Sequence, residues 1–261
     1  MVELEQTREL LRELGLQTAA ELLDARLEDA AHQEMTYLSF LSGLAEVERQ
    51  ERRRRSEETR LKLSHLPFRK TLEEFDFSFQ PSIDTRQMKE LSTMAFAARK
   101  ENVIFLGPPG VGKTHLAVGL AMQGIRAGLT VYFVTLPQFI MDLRKYKSSD
   151  RLDKRWAIYT RPDILILDEV GYMQLDRESA ELLFRLVCSR YEKGSIVLTS
   201  NKYFSAWGEL LNDTVIATAT LDRLLHHAHV VNIRGDTYRL KDRLKSGVST
   251  IPPADIPPKE F

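Results

Sequence analysis

The tightest constraint on this chain lies in residues 103–114. The apolar run Val103-Ile104-Phe105-Leu106 leads into Gly107-Pro108-Pro109-Gly110-Val111-Gly112-Lys113-Thr114. A helix-like segment from Lys113 to about Ala127 leads out of it. Strand, glycine-rich loop and helix in that order, with the spacing G-x-x-x-x-G-K-T, predict a loop built to wrap phosphate. The residue types follow from that task. Gly107, Gly110 and Gly112 free the backbone to turn its N–H groups toward an anion at a helix N-terminus. Lys113 reaches the β- and γ-phosphates, and the Thr114 hydroxyl is a ligand for Mg²⁺. Pro108, Pro109, Val111 and His115 complete the stretch expected against the nucleotide. The reading is a nucleoside triphosphate bound with Mg²⁺.

Composition narrows the rest. With 261 residues there is room for one medium domain and an appendage. The 37 basic and 37 acidic residues cancel, so affinity for nucleic acid has to come from local patches. A single cysteine, Cys188, excludes a disulfide framework within the chain and suits a reducing compartment. No apolar run approaches a membrane span, and Met1-Val2-Glu3-Leu4-Glu5-Gln6 is too polar for a signal peptide. The expectation is a soluble, cytoplasmic protein with no membrane partner.

Taken in order, residues 1–66 read as a small all-helical domain. Leu4, Leu10, Leu11 and Leu14 form a stripe that Gly15 stops, and Thr18-Ala19-Ala20-Glu21 reads as a capping box restarting a helix. A third helix carries Met35, Leu38, Leu41, Leu44 and Ala45, then turns polar through Arg49 and Arg52-Arg53-Arg54-Arg55. That run, interleaved with Glu46, Glu48, Glu51, Glu57 and Glu58, reads as a solvated face, with DNA phosphates as the alternative partner. Short amphipathic helices cannot bury their stripes alone, so self-association or docking to a partner is expected.

Residues 67–85 read as a linker carrying Phe68, Phe75, Phe77 and Phe79, aromatics suited to anchoring on the next domain or, for Phe75 or Phe77, to stacking on adenine. Residues 86–246 then alternate. One helix is expected from Arg86 to Arg99. Strands follow at 103–106, 130–134, 164–167, 196–200 and 230–233, with Thr135-Leu136-Pro137-Gln138 capping one helix and another over 179–192. Near-continuous apolar strands between helices predict α/β architecture, a parallel five-stranded sheet covered on both faces. Residues 247–261, with four prolines, read as an irregular tail.

The chemistry gathers at strand ends. Ile164-Leu165-Ile166-Leu167 ends in Asp168-Glu169. Beside a phosphate loop, Asp168 belongs on the Mg²⁺ side and Glu169 faces the γ-phosphate as the base for an attacking water. Two adjacent acids favour hydrolysis over transfer to a small acceptor. Ser200-Asn201 ends the next strand, where Asn201 can bond the γ-phosphate or the water. Arg223, in Asp222-Arg223-Leu224, is either a surface ion pair or an arginine that reaches a neighbouring subunit's nucleotide. His226, His227 and His229 lack a visible carboxylate or cysteine to converge with, so they are not read as a metal site. Between two strands lie Arg144, Lys145, Lys147, Arg151, Lys154 and Arg155 with Tyr146, Trp156 and Tyr159. Basic residues interleaved with aromatics suit a nucleic-acid backbone, the alternative being an exposed helix pair with Trp156 in the core.

In series, these motifs resemble the AAA+ ATPases of the helicase-loader and initiator clade. The Arg-Glu-rich helix, Thr71-Leu72-Glu73-Glu74-Phe75-Asp76-Phe77 and Leu224-Leu225-His226-His227-Ala228-His229 are similar to the IstB-type helper ATPases of bacterial insertion-sequence transposition. The resemblance runs from about Glu3 to Leu244. It implies that Gly107–Thr114 is Walker A, Asp168 and Glu169 are Walker B, Asn201 is sensor 1, Arg223 is an arginine finger and Arg239 is a sensor-2-like arginine. It also implies that the helical insertion at 135–162 lines a DNA-binding groove. Family properties then include homo-oligomers on duplex DNA with nucleotide sites at subunit interfaces, and a cognate transposase recruited by the DNA-bound helper. Too little chain follows Arg239 for a full C-terminal lid. Three other readings stand beside this one: a DnaC-type replicative helicase loader, a P-loop kinase for a small metabolite, and an ATP-gated DNA scaffold without hydrolysis.

Overall fold

The computed structural model describes residues 2–147, 149, 151–235 and 237–238. Arg239, the expected tail at 247–261 and the question of a C-terminal lid lie outside the described residues. The chain divides into two compact units, Met1–Lys62 and Leu63–Phe261.

The first unit is helical. Helix α1 (Val2–Glu13) ends at Gly15, whose φ of +73° is the left-handed stop that glycine supplies at low cost. Helix α2 (Gln17–His32) and helix α3 (Tyr37–Leu63) follow. Ala19, Leu23 and Leu44 form its small core, with Leu4, Leu11, Leu16 and Phe40 packed against them. The expected capping box at Thr18 does not form. Helix α2 starts two residues earlier than that cap implies, with Leu16 at the cap position and no side-chain cap. Its acceptor comes from α3 instead: the Glu48 carboxylate, only 4 % exposed, takes the Ala19 N–H at 3.0 Å and the Arg52 guanidinium at 3.1 Å. A local motif lost to a tertiary one. The arginine run behaves as a solvated face: Arg49 pairs with Glu46, Arg54 with Glu51 and Glu58, and Arg55 with Glu51.

The second unit is an α/β sandwich. After α4 (Thr85–Ser92) and α5 (Ala95–Ala98) come β1 (Asn102–Leu106), α6 (Lys113–Arg126), β2 (Val131–Thr135), α7 (Leu136–Tyr146) and α8 (Leu152–Thr160). Then follow β3 (Ile164–Val170), α9 (Arg177–Arg190), β4 (Ser195–Ser200), α10 (Trp207–Leu210), α11 (Thr214–Leu225) and β5 (Ala228–Asn232). The single helix expected over 86–99 is two, because Met94 takes φ +62° and breaks the ladder between Ser92 and Ala95. The Thr135 capping box forms as read, with Gln138 returning the bond to the Thr135 N–H.

All strand pairs are parallel, in the order β2-β3-β4-β1-β5. Both faces are covered, which is why β1, β3 and β4 carry almost no exposed residue. Leu106, Thr135, Val170, Ser200 and Asn232 therefore end on one edge of the sheet. Loops at that edge are where such sheets bind ligands. Residues read as a linker belong with this unit, Leu72 and Ile83 being buried in it. Among the described residues, no helix is long and apolar enough to cross a membrane.

Candidate active site

The loop between β1 and α6 is shaped by what presses on it. Gly112 has φ +97°, and a Cβ there would lie 2.5 Å from the Phe75 ring. Gly110 has φ +83°, and a Cβ would lie 2.0 Å from Thr237 Oγ1. Only glycine meets both demands. Tyr238 N–H donates to the Gly110 carbonyl at 2.9 Å, and its ring stands edge-on to Phe79. The loop is thus enclosed by residues 68–79 on one side and by Ile233, Thr237 and Tyr238 on the other. The His115 ring donates to the Thr71 carbonyl at 2.9 Å, tying the first of these segments to α6. Burial holds the His115 pKa below its ordinary value. Pro108 and Pro109 are exposed and Val111 is buried. The Lys113 ammonium donates to the Gly107 and Pro108 carbonyls, each at 2.7 Å.

The other half of the site sits on the ends of β3 and β4. The Thr114 hydroxyl lies 3.1 Å from both Asp168 oxygens. Asp168 is 4 % exposed, whereas Glu169 next to it is open to the cleft. The Thr199 hydroxyl donates to Asp168 Oδ1 and accepts the Glu169 N–H. Glu169 has φ +62°, a left-handed conformation that costs a non-glycine residue about 1–2 kcal/mol. Asn201 follows β4, and its buried amide oxygen has no hydrogen-bond partner among the described residues. A Cβ on Gly171 would lie 2.5 Å from that oxygen. Phe68, Phe75, Tyr172 and Tyr238 line the same cleft as Lys113, Thr114, Asp168 and Glu169. Thr114 and Asp168 are hard oxygen donors side by side, a set that fits Mg²⁺.

Lys113, Thr114, Asp168 and Glu169, expected from their motifs, lie together in the structure. Thr199 and Tyr172 join them without a motif that marks a role for either, and Phe75, suited by type to anchoring or to stacking on adenine, lies against the loop. The ring lies 4.9 Å from Phe77 and 5.2 Å from His115, above Gly112.

Other candidate residues stand elsewhere. Arg223, in the last turn of α11, is half-buried, with its guanidinium over the Phe184 ring at 5.2 Å. It lines a hollow with Asn102 and Ile196, so it lies at the amino-terminal edge of the sheet, opposite the phosphate loop. His229 bonds Glu101 at 2.7 Å, while His226 and His227 group with Glu192 at the surface. Along α7, its C-cap and α8, Arg144 pairs with Asp176 and Glu178, Lys147 with Glu178, and Arg155 with Asp142. Lys145, Arg151 and Lys154 are exposed. Trp156 is half-buried, against Phe139 and under Arg185.

Against known proteins, residues 9–246 match the family model described as IstB-like ATP binding protein. A protein of insertion sequence IS5376 from Geobacillus stearothermophilus is 45% identical, over 92% of this chain and 95% of its own length. One of insertion sequence IS21 from Pseudomonas aeruginosa is 48% identical, over 92% and 91%. Among solved structures, AMPPCP-bound DnaA from Aquifex aeolicus superposes with a TM-score of 0.53 at 21% identity, over 70% of this chain and 56% of that one. That likeness is one of fold.

Proposed function

This chain belongs to the IstB-like ATP-binding protein family, and from that premise we propose that it is an ATP-hydrolysing helper of insertion-sequence transposition. In this reading it assembles on duplex DNA with ATP, recruits a cognate transposase, and disassembles on hydrolysis. The observation that carries it is the meeting of Thr114, Asp168 and Glu169 beside a loop whose amides can face a triphosphate. Family membership supplies the transposition context, since the relatives bear insertion-sequence names.

The roles follow from chemistry. Lys113 turns from its carbonyl partners to the β- and γ-phosphates, where a cation offsets charge as the terminal bond loosens. Thr114 and Asp168 would hold Mg²⁺, which supplies further neutralisation of the phosphates. Glu169, exposed at the cleft, accepts a proton from the attacking water. Asn201 offers its amide to that water or to the γ-phosphate. Arg223 lies at the far edge of the sheet, so it serves a neighbour's nucleotide rather than its own, which makes the oligomer part of the active site. Arg239, if it serves as a second sensor, does so from outside the described residues. Of the residues proposed for the DNA backbone, Lys145, Arg151 and Lys154 are exposed, whereas Arg144, Lys147 and Arg155 must exchange carboxylate partners for phosphates. The N-terminal unit is assigned to self-association or partner docking.

Phosphate release with and without duplex DNA tests the reading, alongside Glu169→Gln. The variant should hydrolyse about 10²- to 10⁴-fold more slowly, the span typical of losing a general base, and stay on DNA longer with ATP. A wild-type protein that releases no phosphate in either condition overturns hydrolysis. A variant that leaves DNA as fast as wild type overturns hydrolysis as the cause of release.

A further inference from the structure

Two adjacent carboxylates on one strand pose a geometric problem. Successive side chains of a regular strand point to opposite faces of the sheet, so Asp168 and Glu169 could not both address one phosphate. The register of β3 against β4 shows how the chain escapes this. Leu167 pairs with Leu198 and Val170 with Ser200, so two residues, Asp168 and Glu169, stand opposite the single residue Thr199. That is a β-bulge, which re-aims a side chain at the cost of one ladder position. Glu169 absorbs the extra residue with φ +62°. The result is Asp168 turned inward and Glu169 outward to the same cleft.

A bulge needs something to hold it, because the amide of the extra residue has lost its ladder partner. Here that amide donates to the Thr199 hydroxyl at 3.2 Å. The hydroxyl has one proton, and it goes to Asp168 Oδ1. Thr199 is 2 % exposed, so water does not compete for either bond. One side-chain oxygen therefore sets the orientation of the buried carboxylate and the backbone turn of the exposed one.

We propose that Thr199 is a positioning residue for hydrolysis, coupling the Mg²⁺-facing carboxylate of Asp168 to the water-facing carboxylate of Glu169 through its hydroxyl. The inference rests on the hydrolytic reading of this site. It sets a requirement that size alone does not meet: a hydroxyl at 199, not merely a β-branched side chain.

Thr199→Val and Thr199→Ser separate the two, since valine keeps the shape and serine keeps the hydroxyl. The readouts are the turnover number for phosphate release, and the gain in affinity for a non-hydrolysable ATP analogue on adding Mg²⁺, both on the full chain. Thr199→Val should lose about 10- to 100-fold in turnover and a comparable part of the Mg²⁺-dependent affinity gain, the range for removing a partner of a metal-facing ligand. Its affinity for the analogue without Mg²⁺ should match wild type, because the phosphate loop is untouched. Thr199→Ser should stay within about threefold of wild type in both, a margin well inside that range. Valine matching wild type in both readouts, or serine failing as valine does, overturns the proposal. If wild type binds with Mg²⁺ but never releases phosphate, the hydrolytic reading fails by itself, and the affinity readout still decides whether Thr199 orients Asp168.

Discussion

Arg190 is a cation sunk in the base of the sheet, and removing it gives the sharpest test of what holds this fold. The residue ends α9 and is 1 % exposed. Among the described residues, no carboxylate is bonded to it. Instead Nη1 donates to the Tyr159 and Thr160 carbonyls, both at 3.1 Å, and Nη2 to those of Pro162, Asp163 and Ser195, at 2.9, 3.2 and 2.8 Å. One guanidinium thus ties the α8–β3 connection to the start of β4. Burial pushes its pKa down to about 10, against a smaller opposing pull from the Asp163 charge. Each hydrogen bond to a charged group is worth about 1.5–3 kcal/mol. Desolvating the cation costs several kcal/mol in return, so the sum of the bonds overstates the net. What a substitution exposes is the penalty of stranded partners. Arg190→Met keeps the stem and leaves the carbonyls without a donor, and should cost about 3–5 kcal/mol, the range for breaking a buried charged network. With a urea slope of about 2 kcal/mol/M, that moves the midpoint down by about 1.5–2.5 M. Both tryptophans, Trp156 and Trp207, lie in the second unit, so their fluorescence follows its unfolding alone. Arg190→Lys, with one ammonium for several carbonyls, should fall between. A methionine variant whose midpoint lies within about 0.5 M of wild type, roughly 1 kcal/mol at that slope, would refute the reasoning, since water would then be satisfying the carbonyls.

Two further outcomes follow from strain and from titration. Glu169→Gly removes the left-handed cost of about 1–2 kcal/mol while loosening the unfolded chain by about 0.5–1 kcal/mol. The variant should therefore be as stable as wild type or up to about 1.5 kcal/mol more so in urea, while its phosphate release collapses. In the first unit, burial pushes the Glu48 carboxyl up, but the Ala19 N–H, Arg52 and the Thr18 N–H pull it further down, so its net pKa is lowered. A carboxyl lowered on folding stabilises above its unfolded pKa, about 4.3, and that contribution is lost as pH falls through the lower folded value. Glu48→Ala should thus cost about 0.5–2 kcal/mol near neutral pH, as loss of a helix cap does, and the difference should vanish in acid. Hydrogen exchange at the Ala19 and Ala20 amides reads it directly.

Elements set by local chemistry were legible in the sequence. The phosphate loop, the apolar strands and the Thr135 cap each need only neighbouring residues, and each formed where its residues predict. The failures share a cause. Thr18 lost its cap to Glu48, which lies 30 residues further on and reaches α2 only through tertiary packing. Arg190 and Thr199 act on backbone groups that no motif marks. The register shift that puts Asp168 and Glu169 opposite one residue depends on two strands at once. Strand order was equally hidden, because β1 lies between β4 and β5 and nothing in a single strand names its neighbours.

The enclosure of the phosphate loop joins two flanks of the second unit. Phe75 rests on Gly112, and Tyr238 bonds Gly110 from the far end of the described chain. A Cβ at position 112 would press on the first flank through Phe75, and one at position 110 on the second through Thr237, so the two glycines answer to opposite walls of the cradle.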